Sequence, residues 1–505
     1  MKKFSYTDSG VKIDIEGLFL YKDECGMSAT QTFLKDFLEK KISFDDLCGS
    51  YLVKISYPDN KEVFFSDNSG MRRYFINYSD TRFEKSFSAA LPQERIPNYK
   101  AIAQFLYFGC VYNCDTIEKS VKLSNPNSYY VVSKGVIEEK DKGLLPFEEY
   151  EHDENVLAKV MQNVSNAIAD YKNIFCTITG GCDSRSILAH LLHNGVKPRL
   201  DITGQSGHID VLIAKEIASK IKADLMLVED NPEEGWIDEA ISAASMGMSG
   251  VIVTYRLYKK AKILGKIDDT IELGGMAGEL YKNSFINHEF PFYSGYPNWG
   301  KFIKYKVLCF DFPMHLCGSA IKDNISNMRI ELKNLFEGYE LDSKANSYLN
   351  AGYMILQQRS ACLSTMNNNH YVQYNPLIER KVAAYSFNKS PYELEMQLFQ
   401  RKQVSDYWSD IMDVKTDRGL TCNKNKCVSE FVNSMLYLFK FWLKRFISKN
   451  NSEQTSECME LALKSEQYHR AFKRCQDLKI ISGEIKEHDV QPAIADRIFL
   501  VGSIL

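Results

Sequence analysis

The stretch Ile174-Phe-Cys-Thr-Ile-Thr-Gly-Gly-Cys-Asp-Ser-Arg-Ser-Ile-Leu-Ala189 decides how this chain folds. Its first residues form a short apolar run, which predicts a buried strand over 174–179. Gly180 and Gly181 then permit a sharp turn, and the pattern from Ser184 to His193 predicts a helix. A strand that enters a helix this way brings unpaired helix-start amides, with their partial positive charge, to one end of the strand. With the hydroxyls of Thr179 and Ser184, the turn is a cup for phosphate or pyrophosphate, and Asp183 is placed to hold magnesium. The competing reading is a plain strand-to-helix turn with Asp183 as its N-cap. No Gly-Lys-Ser/Thr follows at the spacing of a Walker A loop.

Outward from this stretch, Glu154–Tyr171 and His208–Ile221 read as helices, and Arg199–Thr203 and Asp224–Val228 as strands. That alternation implies a parallel sheet covered on both faces, with ligands expected beyond the carboxyl ends of its strands. Residues 1–150 read instead as short strands with turn signals, among them Ser50–Tyr57, Glu62–Ser66 and Ser128–Ser133. One helix, Asn98–Tyr107, interrupts them, and beyond about residue 320 the chain is predominantly helical. Phe431–Ile447 interleaves aromatic and basic residues. A core or domain-packing helix is favoured there over a membrane-surface or partner-binding one, because the aromatics surround most of the circumference.

The composition, 45% hydrophobic and 25% charged over 505 residues, excludes a disordered chain. A balance of 62 basic against 65 acidic residues gives no bulk electrostatic case for binding nucleic acid. The 13 cysteines follow no disulfide or zinc spacing, so unpaired thiols and a reducing, cytoplasmic location are expected. No apolar window of about 18 residues is present, so no transmembrane segment is expected. Met1-Lys-Lys-Phe-Ser-Tyr6 leads into no apolar stretch, so no signal peptide is expected either.

Thr179-Gly-Gly-Cys-Asp-Ser184 resembles the Ser-Gly-Gly-x-Asp-Ser loop of ATP pyrophosphatases, and the chain more widely resembles the asparagine synthetase family. Ser66-Asp-Asn-Ser-Gly-Met-Arg-Arg-Tyr-Phe75 is similar to a turn of that family's glutaminase half. Phe105–Gly109 and Ile117–Tyr130 resemble the stretch joining its halves. Gly274-Gly-Met-Ala-Gly-Glu-Leu-Tyr281 is similar to the second synthetase motif, and Arg359-Ser360 and Asn375-Pro-Leu-Ile-Glu-Arg380 to the stretches that follow. The resemblance implies an α+β glutaminase-like sandwich over 1–150. An α/β parallel-sheet ATP-pyrophosphatase domain over 151–430 and a helical C-terminal extension over 431–505 would follow. It also implies an AMP-forming amide ligase, in which ATP adenylates a carboxylate and ammonia or an amine displaces AMP. Thr179, Gly180, Gly181, Asp183 and Ser184 would hold pyrophosphate, with magnesium on Asp183, and Ile202, Thr203 and Gly275 would lie against the adenine. Glu279 would orient the nucleophile or bind metal, against an ordinary surface glutamate. Lys415 would supply positive charge, with Arg418 in reserve, while Arg185 is expected to face solvent.

The departures from the family shape the expectation. The family's glutaminase uses a cysteine exposed at the N-terminus, where amine and thiolate act as base and nucleophile. Position 2 here is Lys, and the first cysteine is Cys25, so an inactive glutaminase half is expected. Gly278 stands where the family usually has Asp, and Cys182 replaces an apolar residue, read as a small buried filler rather than a reactive thiol. The expected partners are a small-molecule, peptide or sugar-acid carboxylate with ammonia or an amine, and a partner enzyme or a homodimer. Members without the cysteine include β-lactam synthetases and lasso-peptide cyclases. The rival is a non-catalytic scaffold or regulatory relative that binds nucleotide. Sulfur transfer would want a catalytic cysteine pair, and none is evident.

Overall fold

The computed structural model describes residues 2–229, 231–244, 250–308, 312–447 and 457–505. It is a mixed α/β structure, with an antiparallel sheet region, a parallel sheet and many helices.

The antiparallel sheet runs, in spatial order, Lys3–Asp8, Val11–Tyr21, Leu47–Ser56, Glu62–Ser66, Ser128–Ser133 and Val136–Asp141, with the short Glu24–Cys25 on the second strand. Period-2 alternation explains it: Val11, Ile13 and Ile15 are buried while Lys12 is exposed. The buried set packs under the helix Gly26–Leu38 through Phe33 and Leu34. On the opposite face, Leu52, Phe64, Tyr74 and Tyr130 pack with Phe83 of a three-stranded sheet, Phe75–Asn77, Arg82–Glu84 and Val121–Leu123. Of the three strands expected from sequence, Glu62–Ser66 and Ser128–Ser133 are present with the expected bounds, and the first runs from Leu47 to Ser56. The Lys3–Tyr21 hairpin and the Gly26–Leu38 helix, so that the expected single helix is not alone, were not expected.

The parallel sheet has the spatial order Leu225–Val228, Arg199–Thr203, Asn173–Thr177, Thr270–Leu273, Val372–Tyr374. The chain starts in the middle at Asn173–Thr177, moves one way for two strands, then crosses back for the last two. The reversal between Asn173–Thr177 and Thr270–Leu273 is a topological switch point, the position at which open α/β sheets generally take ligands beyond the carboxyl ends of their strands. Among the helices on this sheet are Cys182–His193, Ile209–Ile221 and Val251–Gly265.

One apolar cluster extends from Leu18 to Ile504. The last helix, Pro492–Ile504, closes it by returning to early residues: Arg497 donates to the Leu106 carbonyl at 2.8 Å. Asp496 accepts from the Val251 and Ile252 amides at 2.8 and 3.2 Å, capping the Val251–Gly265 helix. Burial of Asp496 raises its pKa to about 7.

Candidate functional site

The strand Asn173–Thr177 is prolonged by Ile178, whose amide donates to the Asp201 carbonyl at 2.9 Å, and Thr179 then leaves the sheet. The Thr179 amide donates to Ser184 Oγ at 3.1 Å, and the two hydroxyls lie 3.3 Å apart, so the loop closes on the first turn of the Cys182–His193 helix. Gly181 is the N-cap with φ −86°, an ordinary value, so no left-handed turn is made there. Gly180 is required by space instead: a Cβ there would crowd Ile213 at 3.1 Å and Asp417 at 3.3 Å, and would overlap Asp210. Its amide donates to Asp210 Oδ1 at 2.9 Å.

The loop after Thr270–Leu273 crosses the switch point and meets this turn. A Cβ on Gly275 would fall 2.7 Å from the Asp183 carbonyl carbon and closer still to the Ser184 amide nitrogen, so the two backbones approach as only glycine allows. Ala277 takes a left-handed φ of +72°, which turns the chain into the short helical turn Gly278–Tyr281. Gly278 lies under the Asp183 carboxylate: a Cβ at 278 would be 2.5 Å from Oδ1 and closer to Cγ.

Asp183 is held from two sides. Lys282 Nζ pairs with Oδ2 at 2.5 Å, and Gln400 donates to Oδ1 at 3.1 Å and to the Gly278 carbonyl at 3.2 Å. The Glu279 side chain reaches solvent although protein surrounds it closely. That crowding, followed by the Asp183 charge, raises its pKa.

A third segment packs behind the loop. Arg185, expected to face solvent, is fully buried. It donates to the carbonyls of Val414 at 2.6 Å and of Gly180 and Lys415 at 3.0 Å each, so backbone dipoles solvate its charge. Burial lowers its pKa to about 10. The Asp417 amide donates to the Gly180 carbonyl at 3.3 Å. Cys182, expected as a filler thiol, forms a disulfide with Cys422, 240 residues away. The two elements meet side by side there, and the expectation of unpaired thiols fails at this pair. Among the described residues, Cys25, Cys48, Cys114, Cys176, Cys317, Cys427 and Cys475 form no disulfide.

Of the residues expected at the site, Thr179, Gly180, Gly181, Asp183, Ser184, Gly275 and Glu279 come together at the switch point. Ile202 and Thr203 end the neighbouring strand, the first buried and the second exposed. Lys415 enters through its carbonyl, with its side chain exposed, and Arg418 lies over the Tyr437 ring at 4.8 Å. Magnesium on Asp183 does not fit this donor set. Both oxygens face fixed donors, Gly278 offers no second carboxylate, and no cluster of three or more His, Cys, Asp or Glu suited to a metal occurs among the described residues. Sequence reasoning missed Lys282, Gln400 and Asp210. Lys282 directly follows the second motif and was open to view, whereas nothing near Gln400 in sequence signals its role.

Beneath the crevice, Lys260 pairs with Asp201 and with Glu272, the latter at 2.7 Å, and donates to Thr177 Oγ1 at 2.8 Å. Burial opposes the lysine's charge, but the two carboxylates outweigh it and raise its pKa. This sealed cluster fixes three neighbouring strands just below their carboxyl ends.

The helix Cys427–Ile447, expected over 431–447 as a core or domain-packing helix, divides its described side chains between an outer and an inner side. Val428, Val432, Leu436, Tyr437, Phe439 and Leu443 are exposed, whereas Ser434 and Leu438 are buried. Its inner side is tied through Glu430 to Arg401 and through Ser434 to Glu395. The side chains of Phe441, Trp442, Lys444, Arg445 and Phe446 lie outside the described residues. No helix among the described residues is long and apolar enough to cross a membrane.

In comparisons with protein-family models and with curated proteins, nothing matches this chain.

Proposed function

We propose that the crevice between Asn173–Thr177 and Thr270–Leu273 binds the phosphates of ATP, and that the chain is an amide ligase that activates a carboxylate as its adenylate. The observation that carries this reading is the contact of the two glycine loops. Gly275 presses on the Ser184 amide at the switch point, so both motifs meet at the helix start, where phosphate groups are commonly held. The resemblance to asparagine synthetases assigns the chemistry. A carboxylate oxygen attacks the α-phosphorus and pyrophosphate leaves; the amine then attacks the acyl carbon and AMP leaves.

In this reading the first-turn amides of Cys182–His193 receive the departing pyrophosphate, and Ser184 fixes the loop through the Thr179 amide. Arg185 supports the cup from behind by holding the Gly180 carbonyl away from the phosphates. Glu279, with its raised pKa and open side chain, accepts a proton from the attacking amine. Lys415 lies on the segment that Arg185 anchors and carries positive charge toward the substrate carboxylate. Nitrogen comes from ammonia or from an amine in the substrate. One observation favours a second reading, a nucleotide-binding protein without turnover: the Gly180 amide and the Asp183 carboxylate are already engaged by Asp210 and Lys282.

Incubation with ATP and carboxylate–amine mixtures separates the two. AMP and pyrophosphate in equal amounts, lost in Glu279→Gln, support the ligase. ATP binding without any product supports the second reading, and ADP release contradicts the ligase.

A further inference from the structure

The loop has glycine at 278, where the family it resembles usually has a carboxylate, and its Lys282 pairs with the one carboxylate left there, that of Asp183. Resting on the nucleotide reading above, we propose that Lys282 is the resident counter-cation of this crevice, so that the loop takes a diphosphate or triphosphate anion without divalent metal held by the protein.

Three features fit together. Gly278 leaves open the volume that the Asp183 carboxylate fills, and any side chain at 278 would expel it. Lys282, at the end of the Gly278–Tyr281 turn, meets that carboxylate at 2.5 Å. Gln400 takes the other oxygen at 3.1 Å and ties it back to the Gly278 carbonyl. The exchange is complementary: one carboxylate is absent, one ammonium is present, and the remaining carboxylate points at the ammonium.

An ammonium has three donors, and Asp183 engages one of them. The Lys282 side chain keeps 18% of its surface in solvent and Asp183 keeps 16%, so the pair lies at the crevice wall rather than sealed behind it. An anion on the first-turn amides of Cys182–His193 would have this ammonium beside it as a fixed point charge. Asp183 then acts as a positioning residue, holding Lys282 beside the loop.

The test is calorimetric titration of the full-length protein with inorganic pyrophosphate, in EDTA and again in magnesium chloride. Wild type is expected to bind in EDTA with little gain from magnesium. Lys282→Met is expected to lose about tenfold or more in EDTA, the scale of one charge-assisted contact, while Lys282→Arg keeps most of the affinity. A wild type that binds pyrophosphate only with magnesium overturns the inference and leaves the nucleotide reading standing. A Lys282→Met protein that melts lower but binds pyrophosphate unchanged also overturns it, since Lys282 is then only a structural ion pair. A wild type that binds neither pyrophosphate nor ATP in either buffer removes both. The wild-type comparison needs no variant, so it decides even if Lys282→Met does not fold.

Discussion

Where the antiparallel sheet meets the rest of the chain, Glu379, Asp67 and Lys142 are all buried, and each has its partners. Glu379 accepts from the Gly49 amide at 2.8 Å, and Asp67 from the amides of Ser69, Met71 and Arg72 at 2.7–3.1 Å. Lys142 donates to Ser66, Asn68 and Pro126 at 2.7–3.0 Å. Even a cavity of 640 Å³ on this sheet is lined by charges that answer one another, such as Lys12 with Asp14 at 2.9 Å and Lys54 with Glu62 at 2.6 Å. At the carboxyl edge of the parallel sheet, by contrast, Thr179, Glu279 and Lys415 are exposed beside the start of the Cys182–His193 helix. The difference separates two uses of polarity. Enclosed, hydrogen-bonded ionisable groups join elements together, whereas polar groups left open at a strand end are available to a ligand.

Four variants break or sharpen that contrast. The largest effect is expected from Gly275→Val, whose side chain would drive the two loops apart. It should cost on the order of 3 kcal/mol of stability and abolish nucleotide binding, read by thermal melting and titration with ATP. Cys422→Ser should remove about 2–4 kcal/mol, since the cross-link to Cys182 closes a very long loop. Chemical denaturation with and without a thiol reductant checks this, and the variant should lose sensitivity to the reductant.

Glu379→Gln probes the other region. Burial raises the folded pKa of Glu379 from 4.5 to about 7, so the native state holds a proton that the unfolded chain has released. Its contribution to stability is therefore greatest below about pH 4.5 and is lost as the pH rises to about 7. The glutamine variant should escape that loss and be more stable than wild type at pH 8, by about 2 kcal/mol, with ATP affinity unchanged. Ser184→Ala should cost about 1 kcal/mol of stability by removing the Thr179 acceptor, yet weaken ATP binding severalfold.

What sequence revealed follows the same division. The strand–glycine–helix succession around Gly180 and the strand Arg199–Thr203 were legible because local patterning alone determines them. The Thr270–Leu273 strand was missed because Glu272 interrupts its apolar run, and that carboxylate is tolerated inside through Lys260, Tyr371 and Thr177. Arg185 was placed in solvent because two of its carbonyl acceptors, on Val414 and Lys415, belong to a segment far along the chain. Cys182 and Cys422 obey no spacing rule, since 240 residues separate them. In the Cys427–Ile447 helix an apolar stripe through Val428, Val432, Leu436 and Phe439 is turned outward, which aromatic content alone does not reveal. At the site itself, the glycines and hydroxyls announced the cup, but the pairing of Lys282 with Asp183 depends on a side-chain volume missing at Gly278.

The most direct test of the central claim is calorimetric titration of the full-length protein with ATP, run alongside Gly275→Val and Glu379→Gln. Saturable binding to wild type and to Glu379→Gln, competed by inorganic pyrophosphate and absent from a folded Gly275→Val protein, is the predicted result. No ATP binding to wild type, or binding that survives Gly275→Val unchanged, would contradict a nucleotide crevice at the switch point.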